Sequence, residues 1–324
     1  MKINRFMIAA PKSGSGKTMI TCALLQLLKD SGKNVLSYKC GPDYIDPMFH
    51  KKVLGVPSKN LDTFFTDEKT TVQLFLDERA DGDFAVLEGV MGLYDGLGGI
   101  YEQGSSYHLA KVTQTPIILV VDAKGMGKSV LALIAGFLQY DTHHLIKGVL
   151  LNRMSKGYYD IIKPLIEKEL SVKVVGYFPE QKDIGLSSRH LGLVMPDELS
   201  DIKKQLNETA DRLKKTIDMD LFIYIAEAAD EIGDSGSADK DKRKTLKNAE
   251  LMRLQDQNNT VNIAVAMDEA FCFYYEDNLR MLEKCGAQLQ YFSPLHDTSL
   301  PEDCDAMLLG GGYPEPVSYT HLRA

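Results

Sequence analysis

Apolar and amphipathic runs alternate along the N-terminal half of the chain. Continuous runs rich in Val, Ile and Leu predict buried strands at residues 6–10, 34–39, 84–88, 117–122, 148–152 and 172–178. Strands have this composition when helices cover both faces of a parallel sheet. Between residues 18 and 28 apolar side chains recur at helical spacing, and Gly32 ends that pattern. The chain is therefore predicted to have an α/β fold with a mostly parallel sheet.

A second, shorter α/β pattern follows a polar stretch. Residues 200–229 are predicted to be helical, and residues 230–259 are rich in Asp, Lys, Ser, Gly, Gln and Asn, which is typical of a linker. Strands are then predicted at 261–267, 288–292 and 306–309, with a helix at 277–285. Three strands and one helix are too few to close a core, so we expect this second domain to be incomplete.

These patterns predict a division of the chain into consecutive parts. They are a nucleotide-binding domain at residues 1–200, a helical extension at 201–229, a linker at 230–260, the N-terminal part of a second α/β domain at 261–315 and an atypical tail at 316–324.

Composition narrows the classes of function. The chain has 324 residues, 44% of them hydrophobic, and a net charge of −8 at pH 7, which argues against a general nucleic-acid-binding protein. We find no apolar run long enough to span a bilayer and no signal-peptide pattern in the first residues. The five cysteines are scattered and form no C-x-x-C pair, which favours reduced thiols in the cytoplasm and argues against a cysteine-bound metal cluster.

A phosphate-binding loop is the most informative local signal. Residues 9–18, Ala-Ala-Pro-Lys-Ser-Gly-Ser-Gly-Lys-Thr, connect the first predicted strand to the first predicted helix. In such a loop the backbone N–H groups and the helix N-terminus bind nucleotide phosphates, the Lys reaches the outer phosphates and the Thr hydroxyl binds Mg²⁺. The predicted ATP-binding residues are Ser13, Gly14, Ser15, Gly16, Lys17 and Thr18.

The loop departs from the standard pattern, and a second loop resembles it. Pro11 stands where the standard loop has Gly, and Lys12 resembles the variant loop of the MinD/ParA group. An ordinary glycine-rich βα turn is the alternative interpretation. Residues 123–129 also contain Gly-Lys-Ser after a predicted strand. Because one mononucleotide fold needs one phosphate loop, we expect only a βα turn there.

Polar side chains end three other predicted strands. Glu88 ends one, Lys39 ends another and precedes a Gly/Pro-rich loop that carries Asp46, and Asn152 ends a third. The carboxyl ends of parallel strands meet at one edge of a sheet. Glu88 and Asp46 are therefore candidate Mg²⁺ ligands, Lys39 a candidate partner for phosphate or carboxylate, and Asn152 a candidate contact for adenine. Local caps, an ordinary turn and solvated surface groups are the alternatives.

Longer motifs at these positions resemble one family. Residues 39–47 (Lys-Cys-Gly-Pro-Asp-Tyr-Ile-Asp-Pro), 87–96 (Leu-Glu-Gly-Val-Met-Gly-Leu-Tyr-Asp-Gly) and 189–193 (Arg-His-Leu-Gly-Leu) resemble those of the cobyrinic acid a,c-diamide synthase family. Residues 268–275 and 308–315 resemble the start of the family's glutamine amidotransferase domain.

The resemblance implies a magnesium- and ATP-dependent amidoligase of cobalamin biosynthesis with a dethiobiotin synthetase-like P-loop domain. ATP would phosphorylate the a and c acetate carboxylates of cobyrinic acid, and ammonia released from glutamine would displace the phosphate. No nucleic acid or membrane partner is implied, and a homodimer is left open. The implied roles are catalysis by Lys17, Lys39, Asp46 and Glu88, Mg²⁺ binding by Thr18, Asp46 and Glu88, substrate contacts by Tyr44 and Arg189, and an oxyanion hole at Gly311 and Gly312.

The C-terminal part departs from the family. The family's glutaminase carries its nucleophilic Cys after a later strand and its catalytic His later still, and Cys272, Cys285 and Cys304 do not have that context. Residues 316–324 do not resemble the family's continuation. We therefore expect a truncated glutaminase half that does not hydrolyse glutamine, and an N-terminal domain that uses free ammonia. A genuine variant tail is the alternative to truncation.

Two alternative functions stay open from the sequence. A related amidoligase would act on hydrogenobyrinic acid or a nickel-sirohydrochlorin, which these motifs do not separate from cobyrinic acid. A MinD/ParA-type switch ATPase is suggested by Lys12. Such switches commonly carry a membrane helix or a basic DNA-facing patch, and no basic amphipathic tail is predicted here.

Overall fold

The computed structural model describes residues 2–77, 84–181, 199–232 and 260–313, and it divides into two compact units, Met1–Gly233 and Asp234–Ala324. The strands of the first unit are β1 (Asn4–Ala9), β2 (Val35–Cys40), β3 (Ser58–Leu61), β4 (Phe84–Glu88), β5 (Ile117–Asp122), β6 (Ile146–Asn152) and β7 (Lys173–Phe178). Its α-helices are α1 (Lys17–Asp30), α2 (Ile45–Phe49), α3 (Glu68–Leu76), α4 (Ser106–Val112), α5 (Ser129–Tyr140), α6 (Lys156–Leu170), α7 (Leu199–Lys214) and α8 (Met219–Glu227). A π-helical turn, His50–Leu54, continues α2.

The strands of the first unit form one parallel sheet in the order β3-β2-β4-β1-β5-β6-β7. The predicted fold class is thus confirmed. Because every strand runs the same way, the loops that follow them all leave from one edge. The loop after β1 therefore lies beside the ends of β4 and β5, its two neighbours in the sheet.

Both faces of this sheet are buried. Phe6 and Ile8 of β1 pack on one side with residues of α1, α7 and α8, whereas Met7 and Ala9 pack on the other side with residues of α3 to α6. Successive side chains of a strand point to opposite faces, so a strand covered on both sides needs apolar residues at every position. This explains the continuous apolar runs from which the strands were predicted.

The structure adds three details to the sequence-based expectation for the first unit. The predicted helical extension, residues 201–229, consists of α7 and α8, which contribute Leu206 and Phe222 to the core of this unit. Strand β3 and helix α2 were not predicted from the sequence. Strand β3 is the edge strand of the sheet, and its sequence, Ser-Lys-Asn-Leu, is mostly polar, so it carries no apolar signal. Residues 123–128 connect β5 to α5, as expected for a βα turn.

The second unit contains strands β8 (Val261–Ala266), β9 (Ala287–Phe292) and β10 (Ala306–Leu308) and helix α9 (Glu276–Lys284). The strands form a parallel sheet in the order β10-β8-β9. Its buried cluster is small and is built on Ala264, Ala266 and Phe292. Across the described ranges of both units, every helix is too short or too polar to cross a membrane.

Candidate active site

The loop between β1 and α1 has the backbone of a phosphate-binding loop. Gly14 and Gly16 have left-handed φ angles of 74° and 90°. A Cβ atom on Gly16 would lie 2.4 Å from Nδ2 of Asn152, so only glycine fits there. Asn152, buried at the end of β6, donates that amide to the carbonyl of Ser15 over 2.8 Å. The loop is thus held from the neighbouring strand as well as by its own turns.

Lys39 lies between two carboxylates at the sheet edge. Its ammonium donates to Oδ2 of Asp46 over 2.5 Å and to Oε1 of Glu88 over 2.9 Å, and it lies 3.6 Å from Oδ2 of Asp43. Thr18 Oγ1, at the start of α1, donates to the same Oε1 atom of Glu88 over 2.7 Å and lies 3.4 Å from Asp46. The side chains of Lys39, Asp46 and Glu88 are all nearly excluded from solvent. We call these four residues, Thr18, Lys39, Asp46 and Glu88, the acidic cluster.

Strand register and one short helix assemble the acidic cluster. Lys39 of β2 is directly opposite Glu88 of β4, and Glu88 is in turn opposite Ile8 of β1. Asp46 is brought in by α2, whose first turn begins where the carboxylate of Asp43 accepts the N–H groups of residues 45 and 46. Asn60 of β3 donates to the carbonyls of residues 41 and 43 and so fixes the same loop.

Burial and neighbouring charges shift the pKa values of the ionisable groups in and around the acidic cluster. Burial by itself lowers the pKa of Lys39, but the carboxylates of Glu88, Asp46 and Asp43 outweigh burial and raise this pKa above its usual value. Burial, reinforced by the charge of Glu88, raises the pKa of Asp46, because two carboxylates share one ammonium. Burial and the neighbouring charge of Lys39 lower the pKa of Lys17. The ammonium of Lys39 is therefore the fixed positive charge of the site.

Lys17, the lysine of the phosphate loop, points toward the loop that follows β4. Its ammonium donates to the carbonyl of Met91 over 2.6 Å. Met91 has a φ angle of 51°, which is uncommon for a residue with a side chain. The segment after Glu88 is therefore bent so that a carbonyl faces the phosphate loop.

The acidic cluster has the chemistry of a magnesium site. Mg²⁺ prefers oxygen ligands and commonly binds through one or two carboxylates together with substrate phosphates. Asp46 and Glu88 each present a carboxylate oxygen within 3.4 Å of the Thr18 hydroxyl, which is itself an oxygen ligand. No group of three or more His, Cys, Asp or Glu side chains suited to a metal occurs in the described parts of the chain. Thr18, Asp46 and Glu88 thus have the donor chemistry that fits a magnesium ion bound together with nucleotide phosphates.

Comparison with known proteins places this site in a family. Residues 6–194 match the CobQ/CobB/MinD/ParA nucleotide binding domain, and residues 262–324 match the CobB/CobQ-like glutamine amidotransferase domain. Cobyrinate a,c-diamide synthase from Thermoplasma acidophilum is 40% identical over 316 residues, which cover 97% of this chain and 67% of that protein. The chain belongs to the cobyrinate a,c-diamide synthase family.

Other relatives in the family align in the same way. Cobyrinate a,c-diamide synthase from Listeria innocua is 38% identical over 315 residues, which cover 97% of this chain and 66% of that protein. The chain thus spans about two thirds of the length of these curated relatives.

Among solved structures, chloroplast FtsY from Physcomitrella patens has a TM-score of 0.42 and 16% identity, and the match covers 64% of this chain and 66% of that chain. The family assignment confirms the resemblance seen in the sequence motifs.

The structure brings most of the predicted ATP- and magnesium-site residues together. Residues 13–18, Lys39, Asp46, Glu88 and Asn152 all lie at the carboxyl edge of the sheet. Tyr44 lies half-buried at the start of α2, beside Asp46. Arg189, predicted to contact substrate, lies outside the described residues.

Asn152 contacts the phosphate loop from the end of β6. Its Nδ2 donates to the carbonyl of Ser15, and its Oδ1 accepts the N–H of Arg153 over 2.9 Å. Both ends of the amide are therefore engaged by backbone, and the residue fixes the phosphate loop. A contact of Asn152 with adenine stays a prediction.

Gly311 and Gly312 lie in the second unit, in the loop after β10. The carbonyl of Gly311 accepts the N–H groups of Cys272 and Phe273 over 3.0 and 2.9 Å. A Cβ atom on Gly312 would lie 1.8 Å from the carbonyl oxygen of Ala270, so the two loops are in close backbone contact. Only glycine permits this approach, and the oxyanion-hole role of these residues stays a prediction.

His50 is a residue of the site that sequence reasoning missed. It is fully buried as the first residue of the π-helical turn, and its Nε2 lies 3.9 Å from Oε2 of Glu88. No local pattern marks it, because α2 is too short to show helical periodicity. Short π-helical segments inside α-helices are frequent at functional sites, which is the signal that the structure supplies.

We expect His50 to make the protein less stable as the pH falls from 6.5 to 4. Burial lowers the pKa of His50 from 6.5 to about 4, so below pH 6.5 the unfolded chain binds a proton that the folded chain excludes. The stabilisation is complete above pH 6.5 and is lost toward pH 4. Its full size is about 3 kcal/mol, from about 1.4 kcal/mol for each pH unit.

Denaturant unfolding of the wild type and of a His50→Gln variant between pH 7 and pH 4 measures this contribution. The variant lacks the titrating ring but keeps all Asp and Glu residues, so protonation of their carboxylates in acid affects both proteins alike. Its stability should fall less steeply over this range. Equal slopes for both proteins would show that His50 does not carry the effect.

Proposed function

We propose that the first unit is an ATP-dependent amidoligase that converts acetate carboxylates of a corrinoid into amides through acyl phosphates. The observation that carries this proposal is the ammonium of Lys39, 2.5 Å from Asp46 and 2.9 Å from Glu88 at the same sheet edge as the phosphate loop. A nucleotide switch needs a phosphate loop and metal ligands. A buried ammonium among those ligands adds positive charge where a phosphoryl group and a substrate carboxylate would meet. The names of the relatives, cobyrinate a,c-diamide synthase, support this reaction.

The proposed reaction has two steps. A carboxylate oxygen of the substrate attacks the γ-phosphorus of ATP, an O–P bond forms, and the bond to the bridging oxygen breaks, so that ADP leaves with the electron pair. Ammonia then attacks the acyl carbon, a C–N bond forms and the C–O bond to phosphate breaks. Inorganic phosphate and a proton are released. The first step is needed because a carboxylate is a poor electrophile, whereas phosphate is a good leaving group.

Each residue of the site has a role in this proposal. Residues 13–16 bind phosphates through backbone N–H groups, and Lys17 exchanges the Met91 carbonyl for the outer phosphates. Lys39 neutralises the carboxylate and the transferring phosphoryl group. Thr18, Asp46 and Glu88 would hold Mg²⁺, which supplies further charge neutralisation when bound.

The proposed substrates are ATP and cobyrinic acid, whose a and c acetates would be amidated, with Tyr44 and Arg189 as substrate contacts. The nitrogen would come from glutamine or from free ammonia. The match of residues 262–324 to a glutamine amidotransferase domain supports the glutamine source. We propose a cytoplasmic enzyme with no nucleic-acid or membrane partner.

Assay of the purified 324-residue chain tests this function. The chain is incubated with ATP, Mg²⁺ and cobyrinic acid, and ADP and the mono- and diamide are measured by coupled assay and mass spectrometry. Ammonium chloride and glutamine are supplied in parallel, so that nitrogen transfer is scored separately from glutamine hydrolysis. Hydrogenobyrinic acid and nickel-sirohydrochlorin replace cobyrinic acid in matched reactions, and DNA and liposomes replace it in others.

We expect ADP and amide to appear together, with cobyrinic acid and ammonium chloride. Faster turnover on one of the other tetrapyrroles would reassign the substrate within the same reaction class. ATP hydrolysis that depends on DNA or liposomes, and not on a tetrapyrrole carboxylate, would overturn the proposal in favour of a MinD/ParA-type switch.

A further inference from the structure

His50 lies on the same side of the sheet as the acidic cluster. Ser37 and Lys39 are two residues apart on β2 and point to one face, and Ser37 is directly opposite Ser58 on β3. The ring of His50 is fully buried beside both serines. Its Nδ1 lies 2.9 Å from Oγ of Ser37 and 3.4 Å from Oγ of Ser58. The serines thus fix the orientation of the ring.

This orientation determines which ring nitrogen faces Glu88. A neutral imidazole has one N–H group and one acceptor nitrogen, and the partner of one nitrogen sets the state of the other. A serine hydroxyl that donates to Nδ1 leaves the proton on Nε2. Nε2 is the ring nitrogen directed at Oε2 of Glu88, 3.9 Å away.

The two oxygens of Glu88 have different surroundings. Oε1 accepts hydrogen bonds from Thr18 and Lys39. Oε2 is buried and, like Nε2 of His50, has no hydrogen-bond partner within the described residues. Buried polar atoms are nearly always paired, so two unpaired atoms that face each other indicate a contact that forms in another state of the site. A shift of about 1 Å would bring the two atoms within hydrogen-bond range.

We propose that His50 is a positioning residue for Glu88: its Nε2–H group binds Oε2 and so keeps Oε1 directed at Thr18, where Glu88 would help to hold the magnesium of a bound nucleotide. Hydrogen bonds from groups behind a metal ligand commonly orient that ligand and tune its affinity for the metal. This inference rests on the proposed function only in that a magnesium nucleotide must bind at Thr18. It does not depend on the identity of the acid that is amidated.

Two substitutions of His50 separate this role from simple packing. In His50→Gln the side-chain amide nitrogen reaches the position of Nε2, whereas in His50→Asn it reaches only that of Nδ1. Calorimetry measures binding of a non-hydrolysable ATP analogue to the whole chain, with Mg²⁺ and with EDTA, and thermal melting monitors folding. Both variants remove the ring, so a role in packing affects both.

We expect His50→Asn to raise the Mg²⁺ concentration needed for half-maximal binding about tenfold, the effect of one hydrogen bond to a charged group. His50→Gln should change it by less than about threefold, and binding measured in EDTA should be the same in all three proteins. Equal effects of the two variants, or a loss of binding in EDTA that parallels the loss with Mg²⁺, would overturn the inference.

Nuclear magnetic resonance of the unmodified protein gives an independent result. The ¹⁵N shifts of His50 should show the proton on Nε2 near pH 7, and that resonance should move on addition of the magnesium nucleotide. A proton on Nδ1 would overturn the inference. If no nucleotide binds in any protein, the proposed function fails, and the tautomer of His50 still tests the inference: a proton on Nε2 supports it and a proton on Nδ1 contradicts it.

Discussion

Replacement of Lys39 by Met is expected to lower kcat for ADP formation with a corrinoid acid by about 10²- to 10³-fold. The ammonium donates to both Asp46 and Glu88, and in the proposed reaction it neutralises charge on the transferring phosphoryl group. Met keeps most of the side-chain volume and removes that charge. Because the effect is on charge that develops during phosphoryl transfer, kcat should fall more than KM for ATP rises.

Loss of a buried partner also destabilises, by about 3–5 kcal/mol when the remaining charge is unpaired. A double variant, Lys39→Met with Glu88→Gln, removes one of the two buried carboxylates left behind and should recover part of the melting temperature without recovering activity. Lys203→Met, at an exposed position of α7, is the control for the substitution itself. A kcat for Lys39→Met within about threefold of the wild type would contradict the proposed role.

Replacement of Gly16 by Ala is expected to weaken nucleotide binding by about 100-fold or more, since binding depends on the aligned N–H groups of this loop. Two costs combine at this position. The left-handed φ of 90° is unfavourable for alanine, and the new Cβ atom would lie 2.4 Å from Nδ2 of Asn152. To relieve the clash, Asn152 must release the Ser15 carbonyl or the loop must move. Either change misaligns the N–H groups that bind phosphates.

Gly32→Ala is a matched control for the backbone cost. Gly32 follows α1 with a φ of 78°, and no atom lies within 4 Å of a Cβ built there. Both variants should lose about 1 kcal/mol of stability from left-handed alanine, but only Gly16→Ala should lose nucleotide binding, as measured by calorimetry. If the two variants bind nucleotide equally well, the contact between Gly16 and Asn152 does not shape the phosphate site.

Much of the site was predictable because its signals are local. A strand, a Gly-Ser-Gly-Lys-Thr loop and a helix follow one another directly, so the position of Lys17 and Thr18 depends on only about ten neighbouring residues. Glu88 was predictable for a similar reason, because a carboxylate that ends an apolar run marks the edge of a buried strand.

Other parts depend on contacts between residues far apart in the chain. Strand β3 carries one apolar residue in its four, and its pairing with β2 alone makes it a strand. Asn152 contacts Ser15 across 137 positions, so its role as a support of the phosphate loop has no local signal. The burial of His50 beside Glu88 arises from the packing of a five-residue helix and a π-helical turn against the sheet.

The sequence by itself determined the fold class, the phosphate loop, the candidate ligands at the strand ends and the family, because each of these depends on residue type at short spacing. Only the tertiary structure decided which of these side chains share a hydrogen bond, and that Lys39 lies between Asp46 and Glu88. The physical reason is that strand register and helix packing set distances to within an ångström, whereas local propensity sets only which element a residue belongs to.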